Sequence, residues 1–258
     1  MKVTSDLHVH TNLSLCAYSD ALATDYLRDC PEKGITTIGF SNHCWAESVF
    51  LEDGVFDWYK KQPEKYVLSI HELIPKDTNG VKVLVGCETE FLGGNVVGMD
   101  KDTASLFDYV LVPASHFHLN GFTVPADFAS SSAKTVRELL YRRFNEALEL
   151  EVTTGIAHPF IPCGFTEIEK EILSGITCKQ YENSFNTAAS RKVSIEIHNH
   201  MADSKESRDE FIRMMTIAKE CGCIFHFGSD THHKLIDYES LGQFADLCGI
   251  TEEDMMKI

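Results

Sequence analysis

His8 and His10 stand two apart in Ser5-Asp6-Leu7-His8-Val9-His10-Thr11-Asn12. On a β-strand, residues two apart share a face. Both imidazoles would then aim at one point, and Val3, Leu7 and Val9 supply the apolar positions of a buried strand. A His-x-His at a strand end is a common way to hold a divalent metal. The chain has 12 histidines, so such a pair also arises by chance. The positions of the other ligand-type residues decide between these readings.

Those positions depend on the elements that carry them. Apolar segments at 2–8, 35–40, 81–85, 109–112, 156–157, 193–197 and 223–227 read as strands. Helices are expected near 22–33, 62–74, 133–150, twice within 165–190, at 204–220 and at 237–247. Gly34 is the expected stop of the first helix. A loop over 45–58 carries Trp45 and Trp58. Near-continuous apolar strands alternating with helices imply a parallel sheet covered on both faces. Seven units with no linker or repeat predict an α/β fold in one domain, 1–258, a TIM-like (β/α)7 barrel with parallel strands. An open doubly wound sheet is the runner-up, but no Gly-rich loop follows strand one.

The chemistry falls at the strand ends. Strand one ends in His8 and His10, strand two in His43, strand three in Glu88 and strand four in His116. Strand five ends in His158 and strand seven in Asp230 and His232. In a parallel barrel these ends lie on one face, where active sites form. Ordinary histidines would scatter, yet only His71, His226 and His233 clearly depart from the pattern. Nitrogen and oxygen donors suit Zn, Mn or Fe rather than a thiolate site. Eight or nine ligands exceed the needs of one ion, so two or three divalent ions are expected. Metals about 3.5–4 Å apart are the usual arrangement for phosphoester hydrolysis.

Composition narrows the function. The formal charge is −16, which argues against broad binding to nucleic acid or anionic membrane. Three divalent ions would add about +6 and leave roughly −10, with the positive charge concentrated in the site, so an anionic substrate stays allowed. No apolar run is long enough to span a membrane, and no basic start followed by an apolar segment marks a signal peptide. Nine cysteines are scattered, and Cys87 and Cys223 lie inside apolar runs. Buried free thiols in a reducing cytoplasm are the expectation. Cys221-Gly-Cys223 alone does not define a metal site.

As a set, His8-Val9-His10, Ser41-Asn42-His43, Gly86-Cys87-Glu88, Ser115-His116, Ala157-His158-Pro159 and Ser229-Asp230-Thr231-His232 resemble the polymerase and histidinol phosphatase (PHP) superfamily, in the family's order. The resemblance implies a distorted (β/α)7 barrel and a trinuclear metal site. It implies that His8, His10, Glu88 and Asp230 hold the first ion. Glu88 would bridge to a second, held by His116 and His158, and Asp20, His43 and His232 would hold the third. There are departures. Asn42 stands where many members have an acid, and Ala21 follows Asp20 where Gly is frequent. Asp20 also reads as a helix N-cap after Tyr18-Ser19.

The expected activity is hydrolysis of a small-molecule phosphomonoester by a hydroxide bridging the ions. Histidinol phosphate is the substrate that the resemblance brings forward, and a nucleotide or sugar phosphate fits as well. Asp230 or a mouth histidine, His198 first, would protonate the leaving oxygen. His118, Lys205, Arg208 and Lys234 follow strand ends and are the expected substrate contacts; Asn120, Asn199 and His200 share that placement. Arg191 and Lys192 precede strand six, at the wrong end. An amidohydrolase-type amide or ester hydrolase shares the early His-x-His, but no lysine ends strand three or four here. A non-catalytic accessory metal module is the remaining alternative. Nothing in the sequence sets an oligomeric state.

Overall fold

The computed structural model describes residues 1–50 and 57–257. In chain order the strands are β1 (Ser5–Val9), β2 (Thr37–Cys44), β3 (Lys82–Thr89), β4 (Phe91–Gly93), β5 (Val96–Val97), β6 (Val110–Pro113), β7 (Gly155–Ala157), β8 (Ser194–His198) and β9 (Phe225–Gly228). The helices are α1 (Ala23–Lys33), α2 (Asp57–Lys60), α3 (Glu64–Leu68), α4 (Ile70–Leu73), α5 (Lys101–Ala104), α6 (Ala133–Glu149), α7 (Glu169–Ser174), α8 (Cys178–Arg191), α9 (Asn199–Asp203), α10 (Arg208–Glu220) and α11 (Glu239–Leu247).

Seven parallel strands pair in the order β1-β2-β3-β6-β7-β8-β9. The sheet then curls until β9 returns to β1. The Asp230 N–H donates to the His8 carbonyl at 2.8 Å, and the His10 N–H donates to the Thr231 carbonyl at 2.9 Å. This is the distorted (β/α)7 barrel, nearly closed, with its seam at the strand ends that carry ligand-type residues.

Local chemistry explains the boundaries. Helix α1 stops where Gly34 takes φ 75°, a left-handed conformation that glycine adopts without strain. Ser132 caps α6 by accepting from the Thr135 N–H, and Thr177 with Gln180 forms a capping box on α8. Inside the barrel, Tyr109 reaches across β2 and β3 to donate its hydroxyl to the Leu7 carbonyl at 2.7 Å. Gly86 makes room for that ring, since a Cβ there would stand 2.3 Å from it. Leu7, Leu84, Leu111 and Ala157 pack around the same ring.

Several elements differ from expectation. The helix expected over 62–74 is two short helices, α3 and α4. Strand β2 runs on to Cys44, so Ser41, Asn42 and His43 lie in the sheet rather than after it. The helix expected from 204 begins at Arg208, after the short α9. A β4–β5 hairpin follows β3 where no element was expected. Residues 51–56 of the expected 45–58 loop lie outside the described residues. Trp45 is fully buried and donates its indole N–H to the Val49 carbonyl at 3.2 Å, whereas Trp58 reaches the central cavity. No helix among the described residues is long and apolar enough to cross a membrane.

Candidate metal centre

The strand ends bring imidazoles and two carboxylates into direct contact. His8 Nε2 and His10 Nε2 are 3.1 Å apart. Each lies 3.4 Å from Glu88 Oε2, and Asp230 Oδ1 is 3.4 Å from the first and 3.1 Å from the second. On the other side of Glu88, Oε1 is 3.6 Å from His116 Nε2 and 3.9 Å from His158 Nδ1. His158 Nε2 sits 3.3 Å from Asp230 Oδ2, and His43 Nδ1 sits 3.2 Å from Glu88 Oε2. Glu88, Asp230, His43, His116, His158 and His232 open onto a cavity of about 300 Å³, whose lining Trp58, Tyr59, Leu119 and His118 share.

Hydrogen bonds behind the rings fix which nitrogen faces the centre. A carboxylate only accepts, so the 2.6 Å contact from His8 Nδ1 to Glu196 Oε1 places a proton on Nδ1. His116 Nδ1 likewise donates to Glu90 Oε2 at 2.8 Å, and His232 Nδ1 donates to the Asp230 carbonyl at 2.8 Å. Ser14 gives its hydroxyl proton to Asn42 Oδ1 at 3.0 Å and therefore accepts from His10 Nδ1 at 2.9 Å. All four rings turn Nε2 toward the centre, the pattern that orients metal-binding histidines. His8 Nε2 and His10 Nε2, 3.1 Å apart, must share a proton or a cation. Glu88 adds two buried oxygens and His158 two buried nitrogens with no hydrogen-bond partner among the described residues. Buried polar atoms are rarely left so, and a divalent cation satisfies them.

Electrostatics point the same way. Burial alone would raise the Glu88 and Asp230 carboxyls, but His8 and the neighbouring imidazoles hold both well below the usual range. Burial opposes charge on His8, yet Glu196, Glu88 and Asp230 raise it well above its ordinary value. Carboxylates that draw protons onto these rings would draw divalent cations equally. The backbone is strained here as well. His158 and Asp230 adopt φ of 47° and 52°, in the left-handed region. Such conformations cost roughly 1–3 kcal/mol each and gather at functional sites.

The PHP domain family matches residues 6–203. The chain belongs to the PHP family. PHP proteins bind divalent metals, and the clusters Glu88–His116–His158 and His8–His10–Asp230 fit such ions. The family match ends before Asp230 and His232, which the fold returns to the same centre. Among solved structures, the fold is similar to histidinol phosphate phosphatase (HISK) from Lactococcus lactis subsp. lactis Il1403, complexed with Zn, L-histidinol and phosphate. The TM-score is 0.65 at 15% identity, covering 96% of this chain and 94% of that one. Lower similarity links it to A. niger ochratoxinase, with TM-score 0.43, 13% identity, and 96% and 67% of the two chains covered. No curated protein matches by sequence.

This PHP site differs from the sequence expectation at its edges. Asp20 does not join the cluster. It is exposed and pairs with His233 at 3.4 Å. Its loop turns outward because Tyr18 donates its N–H to the His232 carbonyl and stacks on His233. Nor does Asp20 cap α1, whose N-cap is Leu22. Cys16 faces the cavity instead. Lys205, Arg208 and Lys234 do not line the cavity. Lys234 shares an outer depression with Asp20, and α9 carries the chain away before Lys205 and Arg208. His200 pairs with Glu169 at 2.8 Å, and Asn120 is exposed. His118 does line the cavity, at its exposed rim, where partial desolvation and the neighbouring His116 lower its pKa.

Glu90 and Glu196 were not singled out from sequence. Glu90 stands two residues after Glu88, and Glu196 interrupts the apolar run of β8. A carboxylate inside an otherwise apolar strand was the available signal. Glu196 binds both the His8 ring and, through Oε2 at 2.6 Å, the His158 N–H. Burial would raise its carboxyl, but His8 beside it takes it down to about 2. Glu196→Gln is therefore expected to weaken metal binding by about 10–100-fold with the fold intact. Competition with a fluorescent chelator measures this, and unchanged affinity would remove Glu196 from the support of His8.

Proposed function

We propose that this PHP chain is a metal-dependent phosphomonoesterase acting on a small metabolite. The observation that carries it is the convergence of buried, unpartnered Glu88 oxygens with forward-facing imidazole nitrogens at one cavity. His8, His10, Glu88 and Asp230 would hold one ion; Glu88, His116 and His158 a second; His43 and His232 would contribute to a third. When bound, divalent ions neutralise phosphoryl oxygens and make water acidic enough to serve as nucleophile at neutral pH.

The protein's own groups divide the remaining work. His198 accepts the His200 N–H on Nδ1 at 3.1 Å, so its neutral ring carries the proton on Nε2. That nitrogen lies 3.8 Å from Asp230 Oδ2, at the edge of the metal cluster, and would give its proton to the leaving oxygen. Asp230 is the poorer donor, because its neighbours keep it ionised. Trp58 and Leu119 offer apolar surface to the organic part of the substrate, and neutral His118 a hydrogen bond. No lysine or arginine lines the cavity among the described residues, so phosphate charge would rest on the ions.

Other PHP members are nucleases. The −16 charge and the size of the cavity favour a small monoester over a polynucleotide. Histidinol phosphate, the ligand chemistry of the similar Lactococcus enzyme, and nucleotide or sugar phosphates are the first substrates to test. After chelation, reloading with Zn or Mn should restore turnover of one or more monoesters and not of single-stranded DNA or a phosphodiester. Metal-dependent diester cleavage without monoester turnover would overturn the proposal.

A further inference from the structure

The thiol of Cys16 lies where the metal centre meets the cavity. Its Sγ and one nitrogen each of His10, His43 and His232 lie within 4.8 Å of one another. The His232 ring donates through Nδ1 to the Asp230 carbonyl and turns Nε2 forward. His43 is over nine-tenths buried, and its Nδ1 has no hydrogen-bond partner among the described residues. The loop holds the thiol in place from both sides. Leu15 donates its N–H to Gln62 Oε1 at 2.9 Å, and Tyr18 donates to the His232 carbonyl at 3.0 Å.

We infer that Cys16 is a metal ligand in this chain, completing with His43 and His232 a third position of mixed nitrogen and sulfur donors. The inference rests on the metal-centre reading above. Binding would transfer the thiol proton to solvent and leave a thiolate on the ion. The other positions offer only nitrogen and oxygen. A thiolate makes this one favour Zn, Co or Fe over Mn and Mg. The site would then discriminate between metals position by position, and only this position would respond to thiol chemistry.

Cobalt tests this directly, with absorption rather than turnover as the readout. The full chain, stripped by chelator, is titrated with Co(II). Expected is a near-ultraviolet thiolate-to-cobalt charge-transfer band in the wild type that Cys16→Ser abolishes, with one fewer equivalent bound. Cys16→Asp should recover that equivalent without the band. Cobalt uptake by the wild type with no such band, or a band that survives in Cys16→Ser, would overturn the role of Cys16 while leaving the metal centre standing. No cobalt uptake at all would overturn the metal centre and the inference together.

Discussion

Asp230→Asn is expected to lower kcat/KM for a phosphomonoester by at least about a thousandfold, roughly 4 kcal/mol of transition-state stabilisation. Its carboxylate lies within 3.1–3.4 Å of His8, His10 and His158, so it joins rings assigned to two different ions. Asparagine preserves its shape and tolerates the left-handed φ of 52°. The backbone N–H that closes the barrel seam on the His8 carbonyl is untouched. Circular dichroism and thermal melting should therefore stay near wild type, while bound metal falls by at least one ion per chain. Near-normal activity with a full metal complement would mean that Asp230 holds no ion.

His198→Asn should separate protonation of the leaving group from metal binding. Asparagine can still accept the His200 N–H at the start of α9, but it offers no acid. General acid catalysis contributes about 10²–10⁴-fold, so kcat for an alkyl phosphate should fall within that range. For 4-nitrophenyl phosphate, whose leaving group needs no proton, the loss should be small. Metal content should not change. Equal losses on both substrates, or loss of metal, would remove His198 from the acid role.

The barrel was legible in the sequence because buried parallel strands must be apolar on both faces, and each apolar run here ends in a polar break. The gathering of His8, His10, Glu88 and Asp230 was legible for the same reason: each ends such a run or follows it within three residues. Spacing says nothing about the direction in which a loop turns. Asp20 and Cys16 lie four residues apart on one loop, and long-range contacts of Leu15 with Gln62 and of Tyr18 with His232 and His233 accompany the turn that faces Cys16 inward. Lys205 and Arg208 stand away from the cavity through a similar gap, since the turn of α9 between β8 and Lys205 has no strong pattern of its own. Glu196 escaped notice because its partner, His8, lies 188 residues away in sequence.

All of these outcomes depend on cations shared by residues that only the fold brings together. Elemental analysis of protein purified without chelator, paired with a phosphomonoesterase assay before and after metal removal, tests that most directly. Two or three transition-metal ions per chain, with activity lost on chelation and regained on reloading, is the expected result. One ion or none, with activity retained, would contradict it.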